Sequence, residues 1–257
     1  MFPDMRCLRS LGLVTLLGLT AVACGGNDDT AGGSGGVNVF AAASLTDAFT
    51  EIGDEFSAAN PDVGVTFNFA ASSELVTQIN EGAPADVYAS ADQNNMTKLV
   101  DAGGNAGTPE VFATNALEIV VQTGNPSNIT AVADLANPDL IVVTCAEEVP
   151  CGAYAAEVFA KAGVNVTPKS FEENVRAVLN KVVLGEADAG IVYATDVLAA
   201  GDDASGVEIP PDLNVVAEYP IVATAEAANP DGAAAFMDFV RSETGQEILA
   251  NYGFTAP

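Results

Sequence analysis

Val37-Asn38-Val39-Phe40-Ala41-Ala42-Ala43-Ser44-Leu45-Thr46-Asp47-Ala48-Phe49 changes its period part-way along, and that change sets the fold class. Val37–Phe40 is a short apolar run of strand length. From Leu45 onward the apolar residues recur as Leu45, Ala48, Phe49, Ile52 and Phe56, which lie on one face of a helix. Ser44-Leu45-Thr46-Asp47 between them has the S-x-x-D spacing of a capping box, so it marks the helix start. Strand, small-residue turn, helix is the repeating unit.

The same unit continues down the chain. Val63, Val65, Phe67 and Phe69 alternate with polar or small residues, as in a strand, and Ala70-Ala71-Ser72-Ser73 leads into a helix bearing Leu75, Val76 and Ile79. Asp86–Ala89 is a third strand, followed by a helix at Met96, Leu99 and Val100. Further strands are expected at Leu117–Val121 and Ile141–Val143, with a short helix near Val132–Leu135 between them. Pro150-Cys151-Gly152 opens a helix with Pro in its first turn, and Asn174 precedes another carrying Val175, Val178, Leu179 and Val182. Ala189–Tyr193 and Tyr219–Ala223 read as strands, Asp202–Gly206 as a loop, and Asp231–Val240 and Gly245–Ala250 as helices. Strands alternating with helices indicate an α/β protein with a mostly parallel sheet covered on both faces.

Composition narrows the function. The 257 residues hold 8 Lys+Arg against 35 Asp+Glu, a net charge of −27, with no His and no Trp. Nucleic acid is excluded as a partner, because phosphate contacts rely on clustered cations. The absence of His removes Ser-His-Asp and Cys-His catalysis and His-bearing zinc sites. Without Trp and with few aromatics, a sugar-stacking binder is disfavoured.

Residues 1–23 read as an export signal: Arg6 and Arg9 precede an apolar run from Leu11 to Ala23, too short for a bilayer span of about 20 residues. Ala21-Val22-Ala23-Cys24 resembles a lipobox, where bacterial lipoproteins are cleaved and the new terminal Cys24 is acylated. Residues 24–36, rich in Gly, Asp and Ser, then form a flexible tether. Gly32-Gly33-Ser34-Gly35-Gly36 matches G-x-S-x-G only formally, since neither a strand nor a helix flanks it. Cys7 leaves with the leader and Cys24 takes the lipid, so Cys145 and Cys151 remain. In an oxidising compartment they are expected to form a disulfide worth about 2 kcal/mol. A redox or metal pair would want CxxC spacing, which they lack.

Ligands of open α/β sheets sit beyond the carboxyl ends of strands. Ser44, Ser72, Cys151 and Val175 all fall at expected helix starts, where unpaired N–H groups and about +0.5 of a charge are presented. Four such ends meeting at one point would supply about +2 without any Lys or Arg, which suits a small dianion.

Seven stretches, in order, resemble the bacterial molybdate-binding proteins, the extracytoplasmic receptors of molybdate ABC importers. They are Val39–Ala48, Phe69–Leu75, Gly82–Gln93, Val149–Tyr154, Glu173–Arg176, Gly190–Tyr193 and Tyr252–Thr255. The resemblance covers the chain from Val37 to its end. It implies a two-lobe periplasmic-binding-protein type II fold with the ligand in the cleft between lobes. Residues 37–113 plus 222–257 would form lobe I and 114–221 lobe II, with crossings near Phe112–Ala116 and Ala217–Ile221. It also implies that Ser44 and Ser72 each give a hydroxyl and a backbone N–H to a molybdate or tungstate oxyanion. Cys151 and Val175 would give backbone N–H, and Tyr193 its phenol. These five would touch the metal only through its oxygens, with no direct ligation and no cofactor. Cys151 departs from the family, which commonly has Ala there; a backbone donor tolerates the change. The implied partners are the anion and a transporter permease, the chain being a monomer held to the outer face of the membrane by its lipid alone.

The chemistry agrees. Molybdate and tungstate are fully deprotonated near neutral pH and only accept hydrogen bonds, whereas hydrogen phosphate also wants an acceptor. Fixed dipoles avoid burying an unpaired cation, and salt screens the negative surface beyond about 8–10 Å. Plainer roles exist for the same residues. Ser44 and Ser72 suit N-caps worth about 1 kcal/mol each, Tyr193 suits a packing position, and Arg176 suits an ion pair within or between lobes. Asp86 and Asp92 suit local caps or local hydrogen bonds, and Glu147-Glu148 and Asp202-Asp203 solvated faces or turns. Rival functions are a sulfate receptor, an amino-acid receptor (which would want an Arg for the carboxylate) and a hydrolase using a Ser-Lys pair.

Overall fold

A computed structural model describes residues 35–257. The leader, Cys24 and most of the tether lie outside the described residues. The chain begins with β1 (Val37–Ala42), α1 (Thr46–Ala59), β2 (Val65–Ala70), α2 (Ser72–Asn80), β3 (Val87–Ala89) and α3 (Gln93–Asp101). A long strand, β4 (Asn105–Gln122), leads to β5 (Val142–Cys145), α4 (Pro150–Ala162), β6 (Ser170–Glu172) and α5 (Val175–Val183). Next come β7 (Ala189–Tyr193), α6 (Ala194–Ala200) and β8 (Ala204–Glu208). The last elements are β9 (Val216–Thr224), α7 (Pro230–Arg241) and α8 (Glu243–Asn251).

The strands run β2-β1-β3-β9-β4-β7-β5-β6, with β8 alongside β4. Parallel pairing joins β1 to β2 and β3, and β5 to β6 and β7. This is what strand-helix-strand units require. The expectation of a mostly parallel sheet needs correction in the middle, where β9 and β4 pair antiparallel with their neighbours. Both strands are continuous across the junction between the two parallel groups. Ala113 faces Tyr219, Thr114 faces Glu218 and Asn115 faces Ala217. A chain that crosses from one group to the other and back must traverse in opposite directions, so the two traverses pair as a ribbon.

Each group is buried on both faces. Alternation along β1 sends Val37, Val39 and Ala41 to one apolar cluster and Phe40 to another with Leu75, Tyr88 and Met96. Phe49 of α1 packs tilted against Phe112 of β4 and edge-on against Phe236 of α7, with ring centroids 5.6 and 6.0 Å apart. Such pairs contribute about 0.5–1.5 kcal/mol beyond burial. They hold α1 on the sheet and thereby fix where its first turn points. Gly53 makes this approach possible, since a Cβ there would meet the Phe67 ring at 2.6 Å.

Three further expectations change. Asp202–Gly206 is no loop: Gly201–Asp203 is a 3-10 turn and β8 starts at Ala204, pairing with β4. Leu117–Val121 is only the end of an 18-residue strand, because Gly107 and Pro109 hid its first half. β6 was missed; it is a three-residue edge strand whose Phe171 is exposed, so it carries no burial pattern. Among the described residues no helix is long and apolar enough to cross a membrane.

Candidate binding site

The two serines sit at strand-to-helix turns, yet neither caps its helix. The residue flanking α1 is Leu45 and that flanking α2 is Ala71, both without a side-chain cap. The S-x-x-D capping box expected at Ser44–Asp47 is therefore absent. A 3-10 turn at Ala43–Leu45 rotates Ser44 inward, where its Oγ lies 2.9 Å from the Tyr219 hydroxyl. Ser72 is the first residue of α2, and its Oγ accepts the Ala91 N–H at 3.0 Å. Both serines are buried.

Two more helices arrive from the other parallel group. Cys151 lies in the first turn of α4 behind Pro150, and Val175 is the first residue of α5 behind its cap Asn174, whose side chain accepts the Ala177 N–H at 3.0 Å. N–H groups in a first turn have no acceptor within their own helix. The Cys145–Cys151 disulfide ties the end of β5 to the start of α4. Gly152 is needed beside it, because a Cβ would run into the Ala146 and Cys145 carbonyls.

Ser44, Ser72, Cys151, Val175 and Tyr193 line one cavity, together with Asn174 and alanines of the β1 and β2 turns. None of the lining residues carries a charged side chain. The space within it is about 10 Å³, near the lower limit for one water. The Tyr193 hydroxyl is fully buried and has no hydrogen-bond partner among the described residues. Burial also raises its pKa well above the usual tyrosine value, with the neighbouring Tyr219 and Tyr154 phenols adding to the effect, so it remains a neutral donor. Leaving a buried hydroxyl unsatisfied costs about 1–3 kcal/mol. A guest that accepts hydrogen bonds would remove that cost.

Just outside the cavity, Arg176 of α5 pairs with two carboxylates. Its Nη2 donates to Asp47 of α1 at 2.7 Å, and its Nε stands 3.0 Å from Asp196 of α6, close enough for an ion pair though poorly aligned as a hydrogen bond. Asp196 is wholly buried and also accepts the Tyr193 N–H at 3.1 Å. Burial raises the pKa of Asp196 to about 6, against the pull of Arg176. The guanidinium thus links the two halves and supports the strand end bearing Tyr193.

Asp92 caps α3 as expected, accepting the Asn95 N–H at 3.0 Å. Asp86 is not a local cap. It accepts the N–H groups of Asn38 and Asn229, tying β1 to the segment before α7. Glu147, Glu148, Asp202 and Asp203 are exposed. Sequence reasoning missed Tyr219, Ala91, Asn174 and Asp47, and only Asn174 left a local signal, as the residue before a helix. The partners of the serines lie far along the chain and become neighbours only through strand order.

Two groups of parallel strands joined by a two-strand crossing, with helix starts converging at the seam, define a two-lobed binding-protein fold. The model for the bacterial extracellular solute-binding protein family matches residues 37–255, and the chain belongs to that family, which places it outside the cytoplasm. The molybdate-binding protein ModA of Mycobacterium bovis is 43% identical over 255 residues, covering 96% of this chain and 98% of that protein. Among solved structures, the periplasmic molybdate-binding protein of Azotobacter vinelandii matches with a TM-score of 0.77 at 19% identity, covering 86% of this chain and 99% of that one. The sulfate-binding protein SubI of Mycobacterium tuberculosis matches with a TM-score of 0.78 at 22% identity, covering 86% of each. At those identities the two structures speak to the fold alone.

Proposed function

We propose that this chain captures molybdate or tungstate between two lobes and delivers it to the permease of an ABC importer. Lobe I comprises residues 37–113 and 222–257, and lobe II residues 114–221. One observation carries the reading: the partnerless Tyr193 hydroxyl opens onto a cavity walled by helix starts and serines, with no charged side chain in its lining. Such a wall offers donors without a cation, which suits a dianion that only accepts hydrogen bonds. Ser44, Ser72 and Tyr193 give hydroxyl hydrogens, and the N–H groups of Ser44, Ser72, Cys151 and Val175 complete the set. The 43% identity to a molybdate-binding protein supports the choice of anion.

Closure is a hinge motion of the β4–β9 ribbon, and the closed form is what the permease recognises. The role is binding rather than catalysis. Among the described residues no lysine lines the cavity, which leaves a Ser-Lys hydrolase without its base. Cys24 holds the protein to the outer face of the membrane as a lipid-modified terminus, and the receptor acts as a monomer.

Thermal unfolding with molybdate, tungstate, sulfate, phosphate and a neutral amino acid tests this. Molybdate or tungstate at 100 times its Kd should add about 2.7 kcal/mol of stability. Stabilisation by sulfate alone, or by the amino acid, would reassign the ligand. Mass spectrometry of the membrane-extracted protein should find a diacylglyceryl mass on Cys24; an unmodified thiol would remove the anchor.

A further inference from the structure

A strand that crosses between two lobes bends where its ladder yields most easily. Every backbone N–H and C=O along it needs a partner, so the kind of partner at each residue locates that place. On β4 the kind changes within a few residues. Ala113 faces Tyr219 and Asn115 faces Ala217 on β9, while the Thr114 N–H and C=O turn to the opposite edge. There Thr114 exchanges both bonds with Thr255, at 2.7 and 3.0 Å, and the two hydroxyls lie 2.8 Å apart. From Glu118 onward the strand is flanked again, by β7 on one edge and β8 on the other.

Between these two stretches, side chains stand in for a strand. The Ala116 N–H donates to Asn115 Oδ1 at 3.0 Å. The Leu117 N–H donates to Asn214 Oδ1 at 3.1 Å, and the Leu117 C=O accepts from Asn214 Nδ2 at 2.9 Å, so one side-chain amide makes a whole rung of the ladder. An amide on rotatable bonds follows a turning backbone, whereas a rung fixed in a sheet at both ends resists it. The segment after α8 bounds this stretch on the lobe I side. Gly253, at φ +87°, turns the chain off the helix, and Phe254 packs edge-on against Tyr219 with ring centroids 5.3 Å apart. That delivers Thr255 to Thr114.

We propose that the lobes turn about Ala116–Leu117, with the Asn115 and Asn214 side chains as the yielding rungs and Thr255 as a clip that keeps Thr114 with lobe I. The inference rests on the two-lobe receptor reading above and names the residues that govern its motion. Leu117 lies opposite Tyr193 across β4 and β7, so a turn there carries the Tyr193 strand end with it. A clip that keeps the pivot narrow leaves fewer open states, and less freedom is then lost when the lobes close on a guest.

Spin labels on Thr77→Cys in lobe I and Glu157→Cys in lobe II, both exposed positions, report the inter-lobe distance by double electron–electron resonance. In that background, without a guest, Asn214→Ala and Thr255→Pro should each broaden the distance distribution; proline lacks the N–H that Thr255 gives to Thr114. Calorimetric titration should show molybdate weakened by up to about 10-fold, the cost of one more backbone residue to be fixed on closing. Gln122→Ala removes a side-chain bond from β4 inside lobe II, to the Ala187 carbonyl, and should do neither. Unbroadened distances in both pivot variants would overturn the proposal, even with a lowered unfolding midpoint, since the contacts would then be merely structural. Equal broadening by Gln122→Ala would overturn it as well. A wild-type protein that ignores molybdate would refute the oxyanion reading, and the guest-free distances would still decide the pivot.

Discussion

The cavity and the Arg176 cluster lie side by side on the seam between the lobes, and they handle charge in opposite ways. The cavity has polar groups without charge: hydroxyls and helix-start N–H groups with no cation among them. The cluster has one guanidinium facing two carboxylates, one half-exposed and one wholly buried. In an acidic protein a free cation near the cavity would be claimed by carboxylates, as Arg176 is. Neutral donors have no such competitor. The contrast teaches that anion affinity here comes from fixed dipoles, while charge is used to hold the lobes together.

Breaking the cluster should have the largest effect. Arg176→Met leaves Asp196 buried without its partner and should destabilise the apo protein by about 3 kcal/mol in urea unfolding at pH 7.5. Asp196→Asn in that background should recover most of the loss, and an unchanged midpoint in the single variant would show the pair to be ornamental. The pH dependence has a defined sign. Asp196 has a folded pKa raised to about 6, above its unfolded value near 3.8, so the folded state holds the proton more tightly. Its contribution is fully present below about pH 4 and is lost as pH rises through 6, a change of about 3 kcal/mol from this group alone. Comparing wild type with Asp196→Asn isolates it; parallel pH profiles would contradict the assignment.

The cavity should respond in affinity rather than stability. Ser72→Ala and Ser44→Ala should each weaken molybdate binding by about 1.5–3 kcal/mol with the circular dichroism unchanged. Unaltered affinity in both would return them to structural roles. Reducing the Cys145–Cys151 disulfide should lower stability by about 2 kcal/mol and weaken binding slightly, because it loosens the turn bearing the Cys151 N–H. Asp47→Asn sharpens the comparison at its weakest point. It removes a half-exposed partner of Arg176 across the seam, so it should cost about 0.5 kcal/mol of affinity through easier opening. A stronger effect than that of either serine would mean that the cluster, not the cavity, dominates binding.

How much of this was legible beforehand depended on distance along the chain. The period change at Leu45, the cap at Asn174 and the Pro150 helix start are local, and each was readable because backbone preference and burial act within a few residues. Ser44 looked like a cap for the same reason, and local pattern misled: the oxygen that competes for its hydroxyl belongs to Tyr219, 175 positions away. Asp47 resembled the other half of a capping box but faces Arg176, 129 positions on. β8 and β6 were missed because their pairing partners, not their own residues, make them strands.

The sequence by itself determined the α/β class, the order of most elements and the disulfide pair, since periodicity and cysteine count are properties of the chain; the set of uncharged donors was implied by the resemblance of its motifs to a family. Only the tertiary structure decided which groups face the serine hydroxyls, where the Arg176 guanidinium goes and how the two crossing strands pair. Hydrogen bonds act over about 3 Å, and residues more than a hundred positions apart reach that range only when the strand order has been set.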